Sequence, residues 1–294
     1  RRMDDSLPRI EAYIAERGHI NAANALRELY YRCPGENFAG SAQAALEKLG
    51  ELKIYPEAEY WLGEVYRAEG ELSIALGQYG KAHDARDLLE VPGFDVEILY
   101  KIAELRRLRR EFNEMEESYR EILKQDTLWI QDADSFMRRA MARTLENDGI
   151  DRFLAMYRYN NSAAEKAHRM LGFYYYDSGR YGNAAEQLLF SFLIQSTLIA
   201  EELARENYGY SVSGAADLIN SAERRDELAS YMAGSEFYRT IYYLGSALYG
   251  DGKLRPAREL WSLLRGRPGA GEWRTRAEAQ LASPYVEQLR ERRP

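Results

Sequence analysis

The side chains with the most chemical capacity in this sequence are 23 tyrosines, a single cysteine and three histidines. Hydrolytic or transfer chemistry needs a nucleophile, a base and an orienting group that converge. His19, His83 and His168 share no metal-ligand spacing, and each reads as a surface or half-buried helix residue. The chain has no His-Glu-x-x-His pair, no phosphate-cradling glycine loop and no nucleophile elbow. One cysteine permits neither an internal disulfide nor a thiolate cluster; Cys33, before Pro34, reads as a small half-buried residue at a helix end. Glu114, Glu116 and Glu117 point in different directions on a helix and read as a solvated face. The expectation is therefore a chain without catalytic residues, metal or cofactor. The foothold for an enzyme would be a pocket lined by residues such as Tyr208, Tyr210 and Asp217.

The tyrosines carry a different chemistry. Tyr30-Tyr31, Tyr174-Tyr175-Tyr176 and Tyr242-Tyr243 are adjacent in sequence, and neighbours on a helix diverge by about 100°. One of each group should pack while the others lie on a surface. Tyrosine beside arginine supplies contact area and hydrogen bonds at low entropic cost, which suits a peptide-binding face. Nucleic acid is a poor fit. The net charge is −7, and the basic run Arg106-Arg107-Leu108-Arg109-Arg110 lacks interleaved aromatics and is flanked by Glu104 and Glu111. It reads as a salt-bridged surface helix.

The elements that must position these residues are helical almost throughout. At 46% hydrophobic and 30% charged, the composition is that of a folded chain. Apolar residues recur three or four apart, as in Leu62 and Tyr66, then Ala75, Tyr79 and Ala82. Pro56 and Pro256 suit first turns, Asp95 and Asp134 suit N-caps, and Ser162 with Glu165 has capping-box spacing. Gly70, Gly179 and Gly252 fall in the turns between helices. The longest apolar run, Leu188 to Ala200, is too short and too polar to span a bilayer and reads as a buried helix.

One pattern recurs. Trp61-Leu62-Gly63, Tyr66, Gly70, Ala75, Tyr79 and Ala82 are echoed by Leu171-Gly172, Tyr175, Gly179, Tyr181, Ala184 and Leu188. Leu244-Gly245, Gly252, Leu254, Ala257 and Trp261 repeat it again, with weaker copies at Glu11–Cys33 and Val96–Asp126 and little beyond Gly149 in 134–158. This punctuation resembles the tetratricopeptide repeat, a helical hairpin of about 34 residues, and the unit from Tyr238 leans toward the related Sel1-like repeats. The resemblance implies an all-α, right-handed α-solenoid of about six or seven hairpins. The expected organisation is degenerate helical repeats over 1–55 and repeats over 56–160. A repeat ending in a long helix follows over 161–206, then C-terminal repeats with a capping helix over 207–294. Two departures stand out. A loop is inserted around Val91-Pro92-Gly93-Phe94, and a helix from Ala184 runs on to about Glu206 before Asn207–Gly214 breaks it. A helix from about Ala215 to Met232 should follow. The apolar residues of the long helix occupy more than one face, which favours burial within the chain, and a monomer, over self-association.

In tetratricopeptide arrays the inner helices line a concave groove. Carried onto this sequence, the groove positions are Tyr60, Glu64 and Arg67, then Tyr100, Glu104 and Arg107, a repeated Tyr-Glu-Arg row. Later units give Arg169, Phe173 and Tyr176, then Tyr242, Ser246 and Tyr249. The two-carboxylate clamp of chaperone-binding members needs Lys and Asn where this chain has Tyr60, Glu64, Tyr100 and Glu104, so an acidic chaperone tail is not the expected ligand. The resemblance implies a non-enzymatic scaffold holding a protein or peptide segment, without nucleic acid or a transmembrane segment. The alternative is an envelope accessory protein, periplasmic and lipid-anchored, for solute uptake or envelope assembly. The opening Arg1-Arg2-Met3 looks trimmed, which tips the expected location toward the cell envelope over the cytoplasm.

Overall fold

The computed structural model describes residues 56–124 and 136–289, and every regular element among them is helical: twelve α-helices and two short 3₁₀ turns. The expectations for 1–55, including Cys33, His19 and Tyr30-Tyr31, and that for Asp134 lie outside the described residues. Backbone packing divides the chain into two units, Arg1–Ser118 and Tyr119–Pro294.

In the first unit, α1 (Pro56–Ala68) and α2 (Leu72–Asp84) pack on each other across a turn that Gly70 closes at φ +84°. The 3₁₀ turn Arg86–Leu88 and the inserted loop lead to α3 (Phe94–Leu108), which packs against α2. Tyr60, Ala75, Tyr79, Ala82, Ile98, Ile102 and Leu105 form the core. The buried face of α1 runs through Pro56, Tyr60 and Gly63, whereas Leu62, placed on the apolar stripe from sequence, is 44% exposed. Gly63 sets that choice. A Cβ there would lie 2.6 Å from the Tyr79 ring, so the glycine admits the neighbouring helix. Gly93, at φ +81°, caps α3, and Asp95 sits in the first turn, where its charge meets the helix dipole. The fourth helix, α4 (Phe112–Leu123), carries the boundary between the units.

The second unit continues with α5 (Phe136–Met156), kinked at Gly149, then α6 (Ser162–Asp177) and α7 (Tyr181–Glu206). It is completed by α8 (Ala215–Glu223), α9 (Asp226–Gly234), α10 (Phe237–Gly250), α11 (Leu254–Leu264), the 3₁₀ turn Pro268–Ala270 and α12 (Glu272–Ala282). The capping-box expectation gives way here. Asn161 is the N-cap of α6, accepting from the Ala164 N–H at 3.3 Å, and Glu165 turns inward. At 26 residues α7 is about 39 Å long. Flanked by α6 and α10 and touched by α5 and α8, it buries Leu188, Leu189, Phe190, Phe192, Leu193, Ile194 and Ile199, and half-buries Leu198. Each fully buried side chain of this size stabilises by about 1.5–3 kcal/mol.

Residues 207–214 hold no helix, as expected, but two helices follow rather than one. The chain breaks at Arg225, whose backbone is extended (φ −123°, ψ 119°). Its guanidinium donates to the Ser221 carbonyl at 2.8 Å and pairs with Glu206, so the last turn of α8 gains a side-chain partner. No described helix is long and apolar enough to cross a membrane.

Candidate peptide-binding groove

The two Tyr-Glu-Arg rows of the first unit do not form one exposed surface. Tyr60 is 6% exposed and packs its ring on Phe94 and Tyr79, at centroid distances of 4.7 and 5.6 Å. Tyr100 is buried as well, while Glu104 and Arg107 are half-buried. Glu64 accepts from the Tyr79 hydroxyl, from Arg67 Nη2 at 2.9 Å and from Lys101 Nζ at 2.9 Å. Burial alone would raise this carboxyl, but those three donors outweigh it and hold the pKa at about 2. Glu64 is thus a node tying α1, α2 and α3 together. The basic run is engaged too: Arg106 donates to the Glu114 carbonyl and Ser118 Oγ, and Arg109 to Glu111 and Ser73.

The second unit gathers its groove positions more closely. Tyr176 on α6 and Tyr242 and Tyr243 on α10 are all buried, against the expectation that one of two adjacent tyrosines would face outward. The reason is coverage: α10 is touched by α6, α7, α11 and α12, so both directions are core. Tyr243 packs edge-on against Tyr176 and Phe173, at 5.1 and 5.6 Å. Phe173 also carries the Arg239 guanidinium 4.2 Å above its ring. Arg169, a groove position by resemblance, is instead buried in an ion network. It donates to Glu165 at 3.0 Å and to Glu236 at 2.5 Å, and Glu165 also accepts from Ser191 and Gln195 at 2.8 Å each. Burial would lower the Arg169 pKa, but the two carboxylates raise it above the ordinary range, so the cation persists.

What lies over the tyrosines is the chain itself. After α12, Ser283 adopts extended backbone, and the non-helical segment 284–289 crosses the row. Tyr249, half-buried, donates its hydroxyl to the Pro284 carbonyl at 3.2 Å. Tyr176 donates to the Glu287 carbonyl at 2.9 Å. Gln280, fully buried on α12, uses both ends of its amide: Nε2 donates to the Tyr242 hydroxyl at 3.2 Å, and Oε1 accepts from the Tyr285 N–H at 2.9 Å. Arg276 faces the Glu287 carboxylate at 3.5 Å, with its guanidinium 4.9 Å from the Trp273 ring. Burial first, and then the Glu287 charge, pushes the Tyr176 phenol far above the usual range, so it remains a donor. Tyr242 is raised in the same direction, chiefly by burial, with the Gln280 bond pulling the other way.

Of the sequence-expected groove residues, the structure brings Tyr176, Tyr242 and Tyr249 to one segment and keeps Phe173 beneath them. Trp273, Arg276, Gln280 and the segment were missed. The first three fall on one face of α12 by their spacing, which was a readable signal.

His168, expected at the surface or half-buried, is fully buried, stacked on Phe190 at 5.1 Å with Nδ1 2.8 Å from Gln187 Oε1. Tyr208 is fully exposed, while Tyr210 donates to Asp217 at 3.4 Å. An open cavity of about 810 Å³ lies beside Gly149, lined in part by Asp151, Arg255, Arg258 and Glu259. Asp151 accepts from the Ala215 N–H at the start of α8, and Glu259 pairs with Arg255 and reaches the Ile150 N–H. Among the described residues, no group of three or more His, Cys, Asp or Glu side chains could hold a metal ion.

The chain is 25% identical over 280 residues to an uncharacterized protein of Treponema pallidum (strain Nichols), covering 95% of this chain and 75% of that one. No family model matches it, and no solved structure matches it.

Proposed function

We propose that this chain is a non-enzymatic scaffold of tetratricopeptide-like helical hairpins that holds a non-helical protein segment against the tyrosines of its inner helices. The observation that carries the reading is the pair of hydroxyls on Tyr176 and Tyr249, each donating to a main-chain carbonyl of a segment crossing the row. Recognition through carbonyls accepts many sequences, while the rings supply rigid contact area. The hairpin reading draws support from three glycines at equivalent positions, Gly63, Gly172 and Gly245, each packed against a residue at one constant offset down the chain: Tyr79, Leu188 and Trp261.

The test is an array of unstructured peptides of varied sequence, probed with the wild-type chain and with Glu287→Arg. A discrete set of peptides should be retained, and Tyr176→Phe with Tyr249→Phe should weaken retention about two- to tenfold per lost hydrogen bond. An array blank for both wild type and Glu287→Arg would overturn the scaffold reading.

A further inference from the structure

The contacts that seat 284–287 are lopsided. Its carbonyls at Pro284 and Glu287 and its N–H at Tyr285 are all engaged, and its one charge faces Arg276. The Tyr285 and Val286 side chains, by contrast, are 50% and 45% exposed. A segment evolved only to complete the core would bury its apolar side chains, because these hold a docked chain in place. Here a buried amide, one buried tyrosine, the half-buried Tyr249 and a guanidinium read backbone and one carboxylate, while the Tyr285 and Val286 side chains face outward. A cleft of about 520 Å³ runs alongside, lined by Tyr176, Asp177, Tyr181 and the segment's Val286–Leu289 stretch.

On the scaffold reading above, we infer that residues 284–287 are a reversible occupant of the groove, seated where a non-helical segment of another protein, bearing an acidic side chain toward Arg276, docks. The partner and the chain's own segment exclude each other. Attachment gives the resident segment an effective concentration in the millimolar range for a short connection, so a partner must outcompete it or meet a chain whose segment has been released. The acidic preference follows from Arg276, whose guanidinium lies between Trp273 and Glu287 and, without Glu287, would keep as its carboxylate partner the exposed Glu272 at 3.8 Å.

The experiment uses the full chain and, as probe, a fluorescently labelled synthetic copy of residues 283–289. Wild type should bind it weakly by anisotropy. Glu287→Arg, which sets two cations against each other, should bind at least about tenfold more tightly. Glu287→Gln, the gentler change, should fall between them and serves if the first variant loses its helical circular dichroism. Replacing the probe's glutamate by glutamine should weaken binding to the released chain. In wild type the Tyr285 amide, bonded to Gln280, should exchange slowly, and saturating probe should accelerate it. Equal binding by wild type and both variants, or an unchanged Tyr285 amide with probe bound, would overturn the inference. So would a concentration-dependent dimer of Glu287→Arg in light scattering, since the occupant would then be a second copy. Those failures would leave the scaffold reading standing wherever the peptide array still retains sequences; a blank array removes both.

Discussion

Gly172 lies so close to α7 that a Cβ added to it would sit 2.5 Å from Leu188 Cγ and 3.2 Å from the Leu188 backbone nitrogen. The same relation holds between Gly245 and Trp261, where the added atom would also meet the Ala257 carbonyl at 3.2 Å. Backbone on the far side cannot yield as a flexible side chain would, so these glycines fix how closely paired helices approach.

Gly172→Ala and Gly245→Ala should each destabilise the second unit by about 1–3 kcal/mol through overpacking. Gly77→Ala is the control. Gly77 lies inside α2 with nothing near its missing Cβ, so alanine there should stabilise by up to about 1 kcal/mol. Denaturant midpoints of the three variants would separate them. A neutral Gly172→Ala would refute the close crossing.

The Glu64 node predicts a pH dependence. Its folded pKa, about 2, is depressed from an ordinary 4.5, so its contribution is fully present above 4.5 and is lost as pH falls through about 2. Glu64→Gln should therefore speed amide exchange across α1–α3 at pH 6 to 7. The gap from wild type should close as the pH approaches about 2. A gap of the same size at both ends would mean the carboxylate is not held as described.

Glu165 tests the ion network. It accepts from Arg169, Ser191 and Gln195 within α6 and α7, all of them buried. Glu165→Ala alone leaves Arg169 partly uncompensated and should cost about 3–5 kcal/mol, whereas Glu165→Leu with Arg169→Met should recover much of that loss. Thermal melts of the single and double variants would decide it, and additive losses would exclude the coupling.

Phe192 is 1% exposed and meets Phe237 at a ring separation of 5.7 Å. Phe192→Glu should destabilise by more than about 4 kcal/mol, because it places an unpaired carboxylate in the core of α7. Circular dichroism and light scattering would register lost helix and aggregation. A folded variant of unchanged shape would contradict internal burial of this helix.

What a sequence reveals of its fold depends on the kind of signal each residue leaves. Helix identity, the turns at Gly70, Gly179 and Gly252 and the extent of α7 were legible because period and punctuation are local properties. The tyrosines were misread because a periodicity argument assigns each helix one covered face. That fails for α10, which is covered on several sides and buries Tyr242 and Tyr243 alike. His168 hid for the same reason, packed on Phe190 of α7. The break at Arg225 has no glycine or proline to announce it, and the reach of its guanidinium to Ser221 and Glu206 appears only in three dimensions. Segment 284–289 has no period at all, so only the geometry places it on the row.

The double use of Gln280 sets a grammar for whatever lies on the row. With its amide nitrogen held by Tyr242, its oxygen can be satisfied only by a donor, and a bare occupant would leave that oxygen buried and unbonded. Any chain taking the place of Tyr285 must therefore present a main-chain N–H at that position, which proline cannot do. One residue earlier the rule reverses, since only a carbonyl is read there and Pro284 is admitted. If the row takes an incoming segment as proposed, it forbids proline at one place and tolerates it at the next. On the proposed reading, a row that holds main chain would acquire sequence preference in this way, beside the charge preference set by Arg276.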